Sequence, residues 1–325
     1  MILAGDIGGT KTTLALMAKT DAGDLTCVHE QTFASREYSV FDDLLTAFLP
    51  ANVTLSAACF GVAGPVVEQR CRTTNLPWVL DAQLLKQRFN IERVRLLNDL
   101  EAMALGMLQL PEHELIELNP NAEAKIGNKA VIAAGTGLGE AILYWDDSRY
   151  HAIATEGGHS DLAPTTAQQD ALLVFLRSRY PDHVSYERVI CGDGFSHLYD
   201  FLLEHDFANA CLAVPSLHDA EQGDRNAMIS RLGLAGEDAL CAEALRLFVE
   251  FYGAEAGNLA LKTMALGGVY IGGGIAAKIL PAMQNGDFIQ AFKAKGRFQG
   301  LLDKVSVKLS LNPRTPLLGA GYYFC

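Results

Sequence analysis

Ile2-Leu3-Ala4-Gly5-Asp6-Ile7-Gly8-Gly9-Thr10-Lys11-Thr12-Thr13-Leu14-Ala15-Leu16-Met17 is the stretch whose grammar decides the fold. Two apolar runs flank a glycine-rich turn, which is the signature of a β-hairpin. Glycines without a Cβ let several backbone N–H groups approach one anion, so such a turn is a candidate phosphate cradle. A Walker loop would place Gly-Lys-Thr after four intervening residues and then open a helix. Here Gly9-Thr10-Lys11-Thr12 misses that spacing and a strand follows. A dinucleotide-binding turn also opens a helix and fails on the same ground. What remains is a hairpin carrying an aspartate. Asp6, at a strand end, is placed to hold Mg2+ through water while Gly8, Gly9 and Thr10 line phosphate oxygens. Taken alone, the loop is equally an ordinary hairpin with a glycine turn, and Lys11 reads better as a solvated residue than as a phosphate contact.

A second unit changes the weighting. Ala130-Val131-Ile132-Ala133-Ala134 leads through Gly135-Thr136-Gly137-Leu138-Gly139 to Ala141-Ile142-Leu143-Tyr144-Trp145. Two glycine loops at comparable places in two domains would clasp a triphosphate from both sides. Between them, residues 56–62 and 94–97 read as buried strands and residues 81–88 and 100–108 as helices, the alternation of an α/β fold. Residues 110–128 contain two prolines and many polar residues and read as a linker, with the first domain boundary near Leu110. From Ala167 the pattern is mostly helical, over 168–179, 195–205 and 237–265. The last helix runs into Val269-Tyr270-Ile271 and the triplet Gly272-Gly273-Gly274, a third place for backbone to approach a ligand.

The chain has 325 residues, half of them apolar, and a formal charge of -12. That length fits about two domains of roughly 150 residues each. The acidic balance argues against a grip on nucleic acid, which needs a basic face. No apolar run reaches the ~18 residues of a membrane helix, and the chain opens on a strand-like run; a cytoplasmic protein without membrane partners is expected. The seven cysteines are dispersed and never form a Cys-x-x-Cys pair, which reads as reduced thiols.

Four further residues are candidates for chemistry. Asp99 follows Asn98 at the carboxyl end of a buried strand, where α/β ligands bind, and a carboxylate there can accept a hydroxyl proton during phosphoryl transfer. Helix capping explains an Asn-Asp pair equally well. Glu156 and His159, in Glu156-Gly157-Gly158-His159, offer two polar groups on a glycine-rich loop, and Glu187 is by itself undistinguished.

In order, Gly5-Asp6-Ile7-Gly8-Gly9-Thr10, Leu96-Leu97-Asn98-Asp99, Gly135-Thr136-Gly137-Leu138-Gly139, Glu156-Gly157-Gly158-His159, Glu187-Arg188-Val189 and Ile271-Gly272-Gly273-Gly274-Ile275 make the chain resemble the bacterial ATP-dependent glucokinases. The resemblance implies a two-domain α/β sugar kinase fold of the actin-like ATPase (ribonuclease H-like) class, with the ligands in a cleft between domains. Residues 1–109 with 300–325 would form the small domain and 110–299 the large one. It further implies Asp99 as general base for the sugar O6, with Asn98, Glu156, His159 and Glu187 on the other hydroxyls. Gly5 to Thr10 and Gly135 to Gly137 would hold the phosphates of ATP, Asp6 would face Mg2+, and Gly272 to Gly274 would lie near adenosine. A homodimer is also implied. One departure stands out: Cys191-Gly192-Asp193-Gly194 has an aspartate where members of the family tend to have proline, which leaves that loop's conformation open. No cysteine-rich zinc motif follows His159, which sets the chain apart from the zinc-containing repressor and sugar-kinase relatives. The alternatives are a kinase for mannose, fructose or glucosamine, or a non-catalytic sugar-responsive regulator. A regulator would carry a DNA-reading helix pair and a basic face, whereas a strand begins at Ile2 and the charge is acidic.

Overall fold

Strict apolar patterning on either side of each glycine loop yields two sheets with the same internal order. The computed structural model describes residues 1–20, 24–73, 75–216 and 222–325. Along the chain come β1 (Ile2–Ile7), β2 (Lys11–Lys19), β3 (Leu25–Ala34), α1 (Phe41–Phe48), β4 (Ala57–Val62), β5 (Val66–Val67), β6 (Arg70–Arg72), β7 (Val79–Asp81), α2 (Ala82–Arg88), β8 (Arg93–Asn98) and α3 (Asp99–Met107). Next follow β9 (Leu115–Glu117), β10 (Lys129–Ala134), β11 (Leu138–Trp145), β12 (Tyr150–Thr155), α4 (Ala167–Arg179), α5 (Gly194–Glu204), α6 (Gln222–Ala235) and α7 (Ala239–Thr263). The chain closes with β13 (Gly268–Gly272), α8 (Gly274–Lys278), α9 (Leu280–Met283), α10 (Asp287–Lys293), α11 (Gln299–Leu302), β14 (Val307–Ser310) and α12 (Thr315–Tyr322).

The first sheet has the order β3-β2-β1-β4-β8 and the second β12-β11-β10-β13-β14-β9. In each, an antiparallel hairpin (β1–β2, β10–β11) is followed by a parallel strand beside its first member (β4, β13) and then by another parallel strand (β8, β14). The two halves of the chain therefore repeat one topology, and the two glycine loops occupy equivalent turns. The weak similarity between the hairpins is the sequence trace of that repeat. Central strands are buried along their whole length, as in β4 and β13, because helices cover both faces.

Two of the expected boundaries need correction. Residues 110–128 are not a free linker: β9 adds to the edge of the second sheet by pairing with β14, and the buried Asn119 amide donates to the carbonyls of Asp303 (3.0 Å) and Val305 (2.7 Å). A three-residue strand among prolines and acids is too short to leave a periodic trace. The return to the first sheet is also later than residue 300. β14 still belongs to the second sheet, and α12 is the segment that packs on β1, β2 and β4. Strand pairing across nearly 200 residues decides this, and local pattern cannot register it.

α3 is the element that joins the halves. One side, through Ala102, packs with Ala4, Cys59, Leu97, Leu317 and Ala320 under the first sheet. The other side, through Ala104 and Met107, packs with Val131, Ala141, Leu143 and Tyr270 of the second. α12 crosses α3 at very short range: a Cβ on Gly106 would strike the Thr315 carbonyl, and one on Gly319 would strike the Ala102 carbonyl. Backbone cannot yield there as a side chain can. Gly319→Ala and Gly106→Ala are each expected to destabilise the protein by about 1–3 kcal/mol, read as a lowered midpoint in urea unfolding; an unchanged midpoint for both would mean that the crossing is looser than described.

Candidate active site

The carboxyl ends of β1, β4 and β8 lie in register, with Ile7, Val62 and Asn98 side by side, so Asp6 and Asp99 emerge at the same edge of the first sheet. The capping reading of Asn98-Asp99 holds at Asn98. Asn98 is the N-cap of α3: its Oδ1 accepts from Leu100 N (2.9 Å), while Glu101 Oε2 accepts from Asn98 N (2.9 Å) in a reciprocal capping box. Asn98 also donates from Nδ2 to the Gly64 carbonyl (3.3 Å). Asp99 is the first helical residue, and its Oδ1 shares the Leu100 N–H (2.9 Å). Gly61 makes room for this start, since a Cβ there would meet Ala102 Cβ at 2.7 Å, with Asp99 Cα at 3.8 Å.

The two aspartates share an unneutralised field. Burial, and then repulsion by Asp99, raise the Asp6 carboxyl to about 6. Burial raises Asp99 to about 6 as well; hydrogen bonds from backbone N–H groups oppose the shift and the Glu156 carboxylate adds to it. At neutral pH both are largely ionised, so Asp99 can take up a proton. Uncompensated negative potential beside a backbone turn suits a hard dication that keeps part of its water shell.

The first glycine loop is pinned from a distance. Gly8 N donates to Lys11 O (3.0 Å), Ser35 Oγ donates to Gly8 O (2.8 Å) and Ser35 N to Thr10 O (3.0 Å). Ser35 Oγ also lies 2.9 Å from Thr12 Oγ1, and both hydroxyls are buried. Asn75 stands against Gly9, whose missing Cβ would sit 2.8 Å from Asn75 Cβ. Neither Ser35 nor Asn75 is expected from sequence, because both reach the loop through tertiary contacts. Lys11 is exposed.

The second glycine loop is held by the residues expected around a sugar. Gly135 N donates to Gly137 O (2.8 Å), Gly135 O accepts from Gly192 N (2.9 Å), and Glu187 Oε2 accepts from Leu138 N (2.9 Å). A Cβ on Gly137 would collide with that same Glu187 oxygen. Asp193 does not disturb the Gly192 contact: it adopts φ -68° and ψ -19°, a conformation open to proline, and accepts from Asn226 Nδ2 (3.0 Å). Glu156 and His159 flank a short turn over Gly157–His159 and are exposed; His159 Nδ1 lies 3.9 Å from Glu187 Oε1. Gly139 lies against Leu100, the residue after Asp99, so the start of α3 packs on the end of the second glycine loop.

Gly272, Gly273 and Gly274 form the turn between β13 and α8, beside the end of β10. Gly273 has φ +82°, and a Cβ there would also collide with the Ala134 carbonyl, so only glycine fits. The turn opens onto a cavity of ≈ 210 Å³ walled by Met103 and Met107 of α3, Ala277, and the segment Ser310 to Pro316. The glycines of this third loop were legible in sequence; the methionines and the Asn312-Pro313 wall were not.

Proximity thus links Asp6 to Asp99, Asp99 to Glu156, His159 to Glu187 and Glu187 to the second glycine loop, while a third glycine turn opens on an apolar-sided cavity. Comparison with known proteins places the whole chain in a family. A family model described as Glucokinase matches residues 3–325. A glucokinase of Nostoc punctiforme is 38% identical over 336 residues, covering 99% of this chain and 98% of the relative. One of Synechocystis is 37% identical, covering 98% and 96%. Among solved structures, a glucokinase from an Antarctic psychrotroph superposes with a TM-score of 0.86 at 32% identity, over 98% of this chain and 97% of that one. A ROK family glucokinase from Streptomyces griseus, in complex with glucose and AMPPNP, shares the fold with a TM-score of 0.65 at 19% identity.

The Glu187 contact yields a test within the site. Gly137→Ala is expected to cost about 1–3 kcal/mol of stability through overpacking. The loss should be partly relieved in the Gly137→Ala/Glu187→Ala double variant; strictly additive losses in a thermal-unfolding cycle would disprove that the two positions touch.

Proposed function

We propose, from the premise that the chain belongs to the glucokinase family, that its cleft transfers the γ-phosphoryl group of ATP to the 6-hydroxyl of glucose with Asp99 as general base. The observation that carries this reading is the position of the Asp99 carboxyl. It is held at the first turn of α3 close enough to Asp6 to shift it, is raised to about 6 by burial, and precedes Leu100, which packs on Gly139 at the end of the second glycine loop.

In this reading Asp99 accepts the 6-hydroxyl proton as that oxygen attacks phosphorus, a role worth about 10²–10⁴ in rate for a positioned base. Asn98, Glu156, His159 and Glu187 bind the remaining hydroxyls. Each hexose hydroxyl both donates and accepts, so an epimer leaves a buried group unpaired, and that is the basis of discrimination. The loops Gly8 to Thr10 and Gly135 to Gly137 line the phosphates from the two sheets, with Gly8 N and Gly135 N closing the turns internally, and the Gly272–Gly274 turn with its methionine wall takes adenosine. Asp6 would hold Mg2+ through water; the ion neutralises phosphate charge when bound. Closing of the two halves excludes water and aligns the attacking oxygen. A cytoplasmic setting and a homodimer accompany this proposal as family expectations; among the described residues no helix is long and apolar enough to cross a membrane.

Asp99→Asn should lower kcat with glucose by about 10²–10⁴-fold in an assay coupled to NADP reduction while the melting temperature stays near that of the parent. Full turnover in that variant would remove Asp99 from the role of base. Asp6→Ala should depress Mg2+-dependent turnover far more than glucose affinity measured by calorimetry, and equal losses in both would count against the division of labour between the two aspartates. Initial rates over a panel of hexoses should rank glucose first.

A further inference from the structure

Glu140 and Glu255 have no place in that chemistry, yet they are among the most thoroughly buried acids of the chain, 1% and 0% exposed. An acid is seldom this buried without a partner. Glu140 follows the second glycine loop on β11; Glu255 lies on the long helix α7. Their carboxyls face one another. Glu140 Oε1 is buried with no other hydrogen-bond partner among the described residues; burial first, then repulsion by Glu255, push this carboxyl above the usual carboxylate range, so the neighbouring Glu255 carboxylate is the acceptor available to the proton it keeps. Lys262 Nζ supports Glu255 at 3.2 Å from its Oε1.

Three parts of the cleft rest on this pair. Glu140 pairs in register with Thr155, whose Oγ1 donates to the Glu140 carbonyl (3.0 Å) and accepts from Gly157 N (3.2 Å). Gly157 itself lies on the Glu140 carboxyl: a Cβ there would collide with Oε2. From Glu255 a second arm runs outward. Asn258 Nδ2 donates to Glu255 Oε2 (2.8 Å) and to Tyr186 OH (3.0 Å), and Tyr186 precedes Glu187. The third contact is covalent, since the second glycine loop ends in the strand that carries Glu140.

We propose that the buried carboxyl pair Glu140–Glu255 is a positioning device, fixing the Glu156–His159 turn and the Glu187 turn relative to each other and to the second glycine loop, and so setting affinity for the hexose. Neither residue touches the ligand; both act through backbone that they hold. The inference rests on the assignment of that turn and Glu187 to the sugar.

The test uses the full chain, with KM for glucose and for ATP from the coupled assay and Kd for glucose from calorimetry. Glu140→Ala removes the proton donor and leaves Glu255 buried with one partner fewer. It is expected to raise KM and Kd for glucose by roughly 5- to 150-fold, with KM for ATP within about twofold of the parent. Glu140→Gln, of the same size and still able to donate to Glu255, should restore parental glucose affinity. Equal rises in both KM values, unchanged glucose affinity in Glu140→Ala, or a Glu140→Gln variant as impaired as Glu140→Ala would each overturn the proposal. Should Glu140→Ala fail to fold, Tyr186→Phe tests the outer arm in an intact core: a rise of about 2- to 10-fold in Kd for glucose supports it, and no rise overturns it. A parent protein that binds glucose but transfers no phosphate would refute the kinase reading alone, because the calorimetric comparison still reports on the pair.

Discussion

The close approach of α3 to both sheets is the constraint on which the rest of the structure depends. Its small residues Ala102, Ala104 and Gly106 let it contact the first sheet, the second sheet and α12 at once, and any of these contacts would open if the helix carried larger side chains. The helix must then begin at the mouth of the cleft, because β8 ends there. The Asn98 capping box fixes where it begins, to the residue. Asp99 is thereby held against solvent reorganisation at the junction of two bodies, as an acid or base needs when its partner atoms arrive from the other side.

Negative charge accumulates along this junction without cationic relief. Asp99 raises the proton affinity of Asp6 and Glu156 raises that of Asp99, and among the described residues no lysine or arginine offsets either shift. Such a field is unfavourable for the protein alone and favourable for a site that takes a metal-bound polyphosphate and a neutral, hydroxyl-rich partner. The buried acid pair behind the Glu156–His159 turn follows a different logic. Glu140 avoids a second buried charge by keeping its proton, and Lys262 offsets the charge on Glu255.

The internal repeat explains why two glycine loops exist at all. Each is the turn of the first hairpin in a sheet of the same order, and the last helix of each half, α3 and α12, meets the other between the sheets. The halves are nonetheless anchored differently. Ser35 and Asn75 secure the first loop, while Glu187 and Gly192 secure the second. Duplicated topology thus supplies equivalent turns, and unrelated side chains tie each one down.

By itself the sequence determined whatever is local in the chain. The strand-turn-strand reading of residues 2–17, with no helix after the glycines, excluded the common nucleotide folds; the helices at 81–88, 100–108, 168–179 and 195–205 appear within a residue or two of their expected places. The positions of Asp6, Asp99 and the glycine turns were legible because apolar runs mark the strands they end and tight turns favour glycine. Tertiary structure alone decided the edge strand β9, the return of the chain at α12 instead of residue 300, the fastening of Gly8 by Ser35, and the link between Glu187 and Leu138. Each of these joins residues far apart in the chain, where pairing depends on which surfaces packing brings together and leaves no periodicity for a sequence to display.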